Sequence, residues 1–335
     1  MAAYAVGVDL GGTNIKAGVC DADGRVLSKL SITTEGQRGP EGVLDRIAEA
    51  ARSAAERAGF RLTDVQAVGV GAPGTMDFEA GVVTIAPNLP GWRDVHLREG
   101  VARRLGVTTV IENDANAAAF GEYWAGAGAD ADPMVLLTLG TGVGGGIVIG
   151  GELLHGASGS AAELGHLIIQ FGGRQCGCGN RGCLEAYASA TAMVARFREA
   201  VQGAPDPAPL GRGPGRATSS LAEKVRSGGE ITAEGIHTAA VAGDELSRQI
   251  LTETGVLLGY GIVSIVHAVN PQRVVLSGGM IGAGEMLMEP VRRTVKEMAF
   301  PQAQKRLEVV FARLGGDAGF IGAAGCALRS SATSA

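Results

Sequence analysis

One pattern constrains this chain more than any other, and it occurs twice: an apolar strand, a loop of glycine and threonine, and a second strand. The first copy runs Ala5 to Leu10, then Gly11-Gly12-Thr13-Asn14, then Ile15 to Cys20. The second runs Met134 to Leu139, then the glycine turn Gly140 to Gly145, then Gly146 to Ile149, about 130 residues later. Glycine lacks a Cβ, so such a tip admits a tight turn and lets a ligand approach the main chain closely. Two glycine-tipped hairpins predict two related α/β domains, and 335 residues fit about two domains of roughly 150 each. Glycine is 54 of those residues with no three-residue period, so the excess belongs to turns and ligand loops and not to a collagen helix.

Between the hairpins the grammar stays α/β. Val26 to Ile32 reads as a third strand after the Asp23-Gly24 turn, and Pro40 opens a helix over Glu41 to Ala58. Val65 to Gly71 and Thr108 to Ile111 read as strands, with an amphipathic helix near Arg98 to Leu105. Later come a helical region from Ile231, a strand at Gln272 to Leu276 and another at Glu308 to Ala312. A helix rich in small residues follows at Ala318 to Leu328. Gly203 to Gly215 has Pro, Gly and Ala without periodicity and reads as a surface loop.

Composition excludes several classes. A net charge of −5 and 4% aromatics leave little for a basic or base-stacking nucleic-acid face. The apolar run Val256 to Val269 is shorter than the about 20 residues of a membrane span. No basic segment followed by an apolar one marks a secretory signal at the start of the chain, and five Cys do not make a disulfide framework at this length. A soluble cytoplasmic protein is expected.

Four motifs carry chemistry. In Asp9 to Thr13, Gly11 and Gly12 can bring main-chain N–H groups to a phosphate, Thr13 can donate its hydroxyl, and Lys16 can supply countercharge. Asp9 beside such a loop suits water-mediated Mg²⁺, although any Gly-Gly hairpin looks similar when alone. The second loop, with Thr141, Gly142, Gly144 and Gly145, strengthens the reading, since two such loops could hold the β- and γ-phosphates of a nucleotide. Neither is a Walker A loop or a dinucleotide loop opening a helix. A third segment, Ser277-Gly278-Gly279-Met280, either cups adenine or ribose or is an ordinary strand-to-helix turn. His166, Cys176, Cys178 and Cys183 form a Cys₃His set with no ligand position open, which predicts a structural zinc; the rival is reduced cysteines beside a core histidine. Finally, in Glu112-Asn113-Asp114-Ala115-Asn116 a strand runs into a helix, and Asp114 is either its N-cap or a base for an acceptor hydroxyl.

Taken together, DLGGTN, GAPG, NLPGW, ENDANAAAFGE, LGTGVGGG, ELGH, CGCGNRGCLE and SGGM resemble the ROK family of sugar kinases and repressors, in family order from Val8 to near Asp317. The resemblance is closest to its bacterial glucokinases. It implies a two-domain actin/hexokinase-like (ribonuclease H-like) α/β fold with the active site in the interdomain cleft. The expected division is a small domain at 1–116, on which a C-terminal helix near 317–330 packs back, and a large zinc-bearing domain at 117–316. It implies ATP with Mg²⁺, bound through Asp9, Gly11, Gly12, Thr13, Lys16, Thr141, Gly142, Gly144, Gly145, Gly278 and Gly279. Sugar contacts are implied at Asn88, Asn113, Asp114, Glu163, His166 and Glu185, with Asp114 as base and His166 giving one nitrogen to zinc and one to sugar. A homodimer or homotetramer is expected, with no nucleic-acid or membrane partner.

The expected activity is phosphorylation of D-glucose at its 6-hydroxyl. The alternatives are an N-acetylmannosamine or N-acetylglucosamine kinase, since those kinases share the same zinc segment, or a broader hexokinase. A repressor of this family would need a DNA-binding segment ahead of Asp9, where only eight residues stand. A non-catalytic actin-like ATPase should lack the Cys/His set and the Asp114 motif.

Overall fold

The computed structural model describes residues 3–203 and 219–333, so the loop read at Gly203 to Gly215 lies, apart from Gly203, outside the described residues. The chain divides into two compact units that interleave along the sequence: 1–136, 146–162 and 312–335 in the first, 137–145 and 163–311 in the second. The chain passes between the units four times, at 136/137, 145/146, 162/163 and 311/312, whereas the expected division has one cut at 116 and a return near 317.

In the first unit, β1 (Tyr4–Leu10), β2 (Asn14–Asp21) and β3 (Val26–Thr33) form an antiparallel meander. Parallel strands β4 (Ala67–Ala72) and β8 (Thr109–Asn113) extend it into a five-stranded sheet of order β3-β2-β1-β4-β8. Every residue of β4 is buried, as expected of a parallel strand covered on both faces. One cover is the helix Gly39–Arg57, whose Val43, Leu44, Ile47 and alanines pack into the core.

The C-terminal helix, Ala318–Thr333, also packs on this sheet. Its approach is close enough to require glycine beneath it. A Cβ at Gly7 would lie 1.7 Å from the Phe320 carbonyl oxygen, and one at Gly69 1.8 Å from that of Ala323. These two glycines are register partners on β1 and β4. A small antiparallel sheet of β5 (Thr75–Asp77), β6 (Val82–Ile85) and β7 (Arg93–Val95) completes the unit. The sequence reading had no such sheet, because three- and four-residue strands are too short to show a period.

The remaining strands are β9 (Met134–Leu139), β10 (Val143–Ile149), β11 (Glu152–Leu153), β12 (Arg273–Ser277) and β13 (Glu308–Phe311), in the order β11-β10-β9-β12-β13. β10 starts at Val143, not Gly146, so the turn is only Gly140 to Gly142, closed by Gly140 N–H donating to Gly142 O at 3.0 Å. Gly144 and Gly145 therefore lie in a strand. Beyond the turn, Gly146 serves close packing: a Cβ there would meet that of Ala119 at 2.5 Å.

In the second unit the helix Glu245–Val269 is 25 residues long and packs on the helix Glu285–Met298. By length and composition it could cross a membrane, which corrects the shorter apolar run seen in sequence. However, 72% of its apolar window is buried inside the protein, as for a core helix.

Candidate active site and metal centre

In the first unit, residues expected to meet ligand gather at the C-terminal edge of β1, β4 and β8. Asp9 pairs in register with Gly71, and Gly71 with Glu112. The Gly11–Asn14 turn is held from behind by buried Thr34. Its Oγ1 donates to Gly11 O at 2.6 Å and its N–H to Thr13 O at 2.8 Å, leaving Gly12 and Thr13 exposed. Asn88 is exposed beside this turn; a Cβ on Gly12 would lie 3.3 Å from its carbonyl oxygen. Lys16, expected as phosphate countercharge, donates its Nζ to Gly316 O at 2.7 Å, since the turn before the C-terminal helix lies within its reach.

The strand-to-helix junction settles the capping question. Asn113 is the N-cap of the helix Asp114–Ala125: its side chain accepts from Ala115 N–H at 2.9 Å and Asn116 N–H at 3.2 Å, and its own amide donates to Gly74 O at 3.3 Å. Asp114 is the first helical residue, half-buried, with Oδ1 accepting from Ala115 N–H at 2.8 Å. Asn113 thus takes the N-cap position, and Asp114 opens the helix beside it while sharing the Ala115 N–H. Asp9 senses Asp114: burial first, and the Asp114 charge second, push the Asp9 carboxyl up to about 6 against the pull of Lys16.

In the second unit, the His166, Cys176, Cys178 and Cys183 donor atoms lie within 4.8 Å of one another. Cys178 and Cys183 Sγ are 3.7 Å apart, and Cys176 Sγ is 3.8 Å from His166 Nδ1. The sequence closes them up through Gly182, at φ +85°, where a Cβ would lie 1.8 Å from Gln170 O. Burial pushes the Cys176 thiol up to about 12 and raises Cys183, whereas the Asn180 N–H lowers exposed Cys178. Such a set holds three thiolates together only around a cation, and four S/N donors with none left over fit a structural zinc.

His166 turns Nδ1 to the cysteines and Nε2 toward Glu163, whose Oε2 is 4.0 Å away. Ala162, just before Glu163, is held at φ +63°, a left-handed conformation uncommon outside glycine. Glu185 joins the metal centre to the glycine loop: Oε2 accepts from Val143 N–H at 3.0 Å, and Oε1 lies 3.5 Å from Cys176 Sγ. Thr141 is exposed at the loop tip. The Gly278 turn, at φ +90°, seats against the base of this loop, where a Cβ would lie 2.3 Å from Leu139 O. Gly279 opens a 3₁₀ turn with open space at its Cα. Sequence reasoning missed Glu185 as a bridge, since its partner lies 42 positions away.

A mixed α/β chain whose glycine-tipped hairpins and strand-end carboxylates are arranged in this way has the two-domain actin/hexokinase-like fold. The chain belongs to the ROK family, which matches residues 5–330. It is 39% identical to a glucokinase of Thermotoga maritima over 95% of each chain. Among solved structures it is similar to a ROK hexokinase from Thermus thermophilus, with a TM-score of 0.79, 34% identity and coverage of 99% of this chain and 100% of that one. It is also similar to a ROK family glucokinase from Streptomyces griseus in complex with glucose and AMPPNP, with a TM-score of 0.77 and 37% identity over 97% and 99%.

Proposed function

We propose that this chain is an ATP-dependent glucokinase, transferring the γ-phosphoryl group of ATP to the 6-hydroxyl of D-glucose with Asp114 as general base. The observation that carries the chemistry is the division of labour at the β8 end. Asn113 is the N-cap, and Asp114 stands next to it as the first helical residue, a half-buried carboxylate at the strand end of the kind that accepts a hydroxyl proton. The kinship with glucokinases carries the sugar.

The family resemblance assigns Asn88, Asn113, Asp114, Glu163, His166 and Glu185 to the sugar. A polar set of this kind holds hydroxyls by hydrogen bonds and rejects analogues that leave its groups unpaired. The Gly11–Thr13 turn, Thr141, Gly142 and the Gly278-Gly279 turn are assigned to ATP, with Gly144 and Gly145 supporting the second loop from within β10. Mg²⁺, when bound with ATP near Asp9, neutralises charge on the transferring group. His166 Nδ1, Cys176, Cys178 and Cys183 would hold zinc, which would fix the backbone carrying His166 and Glu185, with His166 Nε2 facing Glu163 for a sugar hydroxyl.

The test is ADP release with glucose, mannose, fructose and the two N-acetylhexosamines, for the native chain and Asp114→Asn. Glucose is expected to lead in kcat/KM, and the Asn variant to lose about 10²–10⁴-fold in kcat with a much smaller change in KM. An N-acetyl sugar leading by tenfold or more would replace the substrate. Near-normal turnover of the Asn variant would remove Asp114 as base.

A further inference from the structure

Beside the site, and outside every motif read in the sequence, stands His155. It follows β11 in the first unit and stacks on Phe78, with ring centroids 4.4 Å apart. Its Nε2 lies 2.8 Å from Oε2 of Glu112. Glu112 is only 4% exposed, and a carboxylate so buried must be fully paired. Its other oxygen, Oε1, accepts from Asn113 N–H at 2.9 Å and from the Asn116 side-chain amide at 3.0 Å. Glu112 thus grips both sides of Asp114: the main chain just before it and the side chain one turn into its helix. Of the three donors on Glu112, His155 alone comes from outside this segment, and it alone can carry positive charge.

We propose that His155 is a positioning residue for phosphoryl transfer, acting through Glu112 to fix the strand end that carries Asn113 and Asp114. The inference rests on Asp114 as base. Without the imidazole, the buried Glu112 carboxylate lacks its countercharge and is drawn toward the open side of the pocket that both residues line. That pocket is about 410 Å³. Turning there releases Asn113 N–H and Asn116, and the base loses its frame. Displacement of a reacting group by about 1 Å costs on the order of 10²-fold in rate.

The surroundings make the contact sensitive to pH. The hydrogen bond that His155 donates to Glu112 is the main influence holding the imidazolium to higher pH than usual, opposed by burial and aided by the charges of Glu112 and Glu152. Glu152 is itself paired with Arg329 of the C-terminal helix. Arg98, on the helix Leu97–Leu105, faces the same pocket but donates to the Phe78 and Glu79 carbonyls, and Cys326 completes that wall. Since the folded state favours the charged imidazole, the ion pair is complete at low pH. It weakens to a neutral hydrogen bond as pH rises through the folded-state value.

The experiment compares kcat at saturating glucose and ATP across pH for the native chain, His155→Gln, His155→Ala and Asp114→Asn, with thermal melting of each. His155→Ala should lose about 10–100-fold in kcat. His155→Gln keeps a donor for Glu112 and should stay within about threefold at neutral pH, but without the alkaline decline of the native profile. Should the Ala variant not fold, the Gln profile decides. The proposal is overturned if His155→Ala melts lower yet keeps kcat within twofold, or if His155→Gln retains the native alkaline limb. If Asp114→Asn stays active, the assignment of the base fails and takes this inference with it. An inactive Asn variant beside an unimpaired Ala variant refutes the positioning role alone.

Discussion

Glu122 offers the sharpest test of how the first unit is held together. Its carboxylate, fully buried, accepts three main-chain N–H groups: Ala127 at 2.7 Å and Arg313 at 3.1 Å on Oε2, and Leu314 at 2.7 Å on Oε1. It therefore ties the end of the Asp114 helix to the segment leading into the C-terminal helix, some 190 residues on. In Glu122→Gln one oxygen becomes an amide nitrogen. Placed at Oε2 it would confront two donors, so it should settle at Oε1 and confront only Leu314. That orientation loses one bond to a charged acceptor, worth about 1.5–3 kcal/mol, and weakens two more, for roughly 2–4 kcal/mol in all. Glu122→Ala orphans three donors at about 1–3 kcal/mol each. At about 2–4 °C per kcal/mol, the Gln variant should melt roughly 4–16 °C lower. Amide exchange at Leu314 should quicken by about 30- to 1000-fold, while Ala127 and Arg313 change less. A Gln variant that melts within a degree of the native chain, with all three amides still protected, would refute this account.

Two further outcomes are expected. The purified chain should carry about one zinc, and Cys178→Ala should lose it and lower stability, as metal analysis and melting would show; active protein free of zinc would contradict the structural role. Asp9, raised to about 6, holds a proton in the folded chain that the unfolded chain has already released, so stability without divalent cation should fall between about pH 4 and 6 and level off above. Asp9→Asn should abolish that slope, and at pH 7 be more stable by about 1–3 kcal/mol while losing activity; an unchanged slope in pH-dependent melts would place the titration elsewhere.

Much of this was written locally in the chain. The β1–β2 hairpin, the Gly39–Arg57 helix and the Cys₃His set each depend on residues within about twenty positions of one another, so spacing and periodicity carry them. The strand-to-helix junction at Asp114 was legible as well, but its capping was not. Asn113 and Asp114 are both good N-cap residues, and only the observed main-chain geometry assigns the task to Asn113. The glycines after Gly142 misled for a related reason. Glycine satisfies either a turn or a close approach, and what presses on a strand is invisible along the sequence.

What the tertiary structure alone decided are the long-range pairings. A Cβ has no room at Gly7 and Gly69 because a helix more than 240 residues later lies across β1 and β4. Lys16 bonds Gly316, Glu122 holds Arg313 and Leu314, Glu185 reaches Val143, and His155 braces Glu112. Each is a buried or half-buried polar group whose partner is set by which segments the fold brings together. Sequence by itself determined the elements and the kinds of chemistry they carry. It left open which donor meets which acceptor, because hydrogen-bond and packing partners depend on distances in space that residue spacing does not encode.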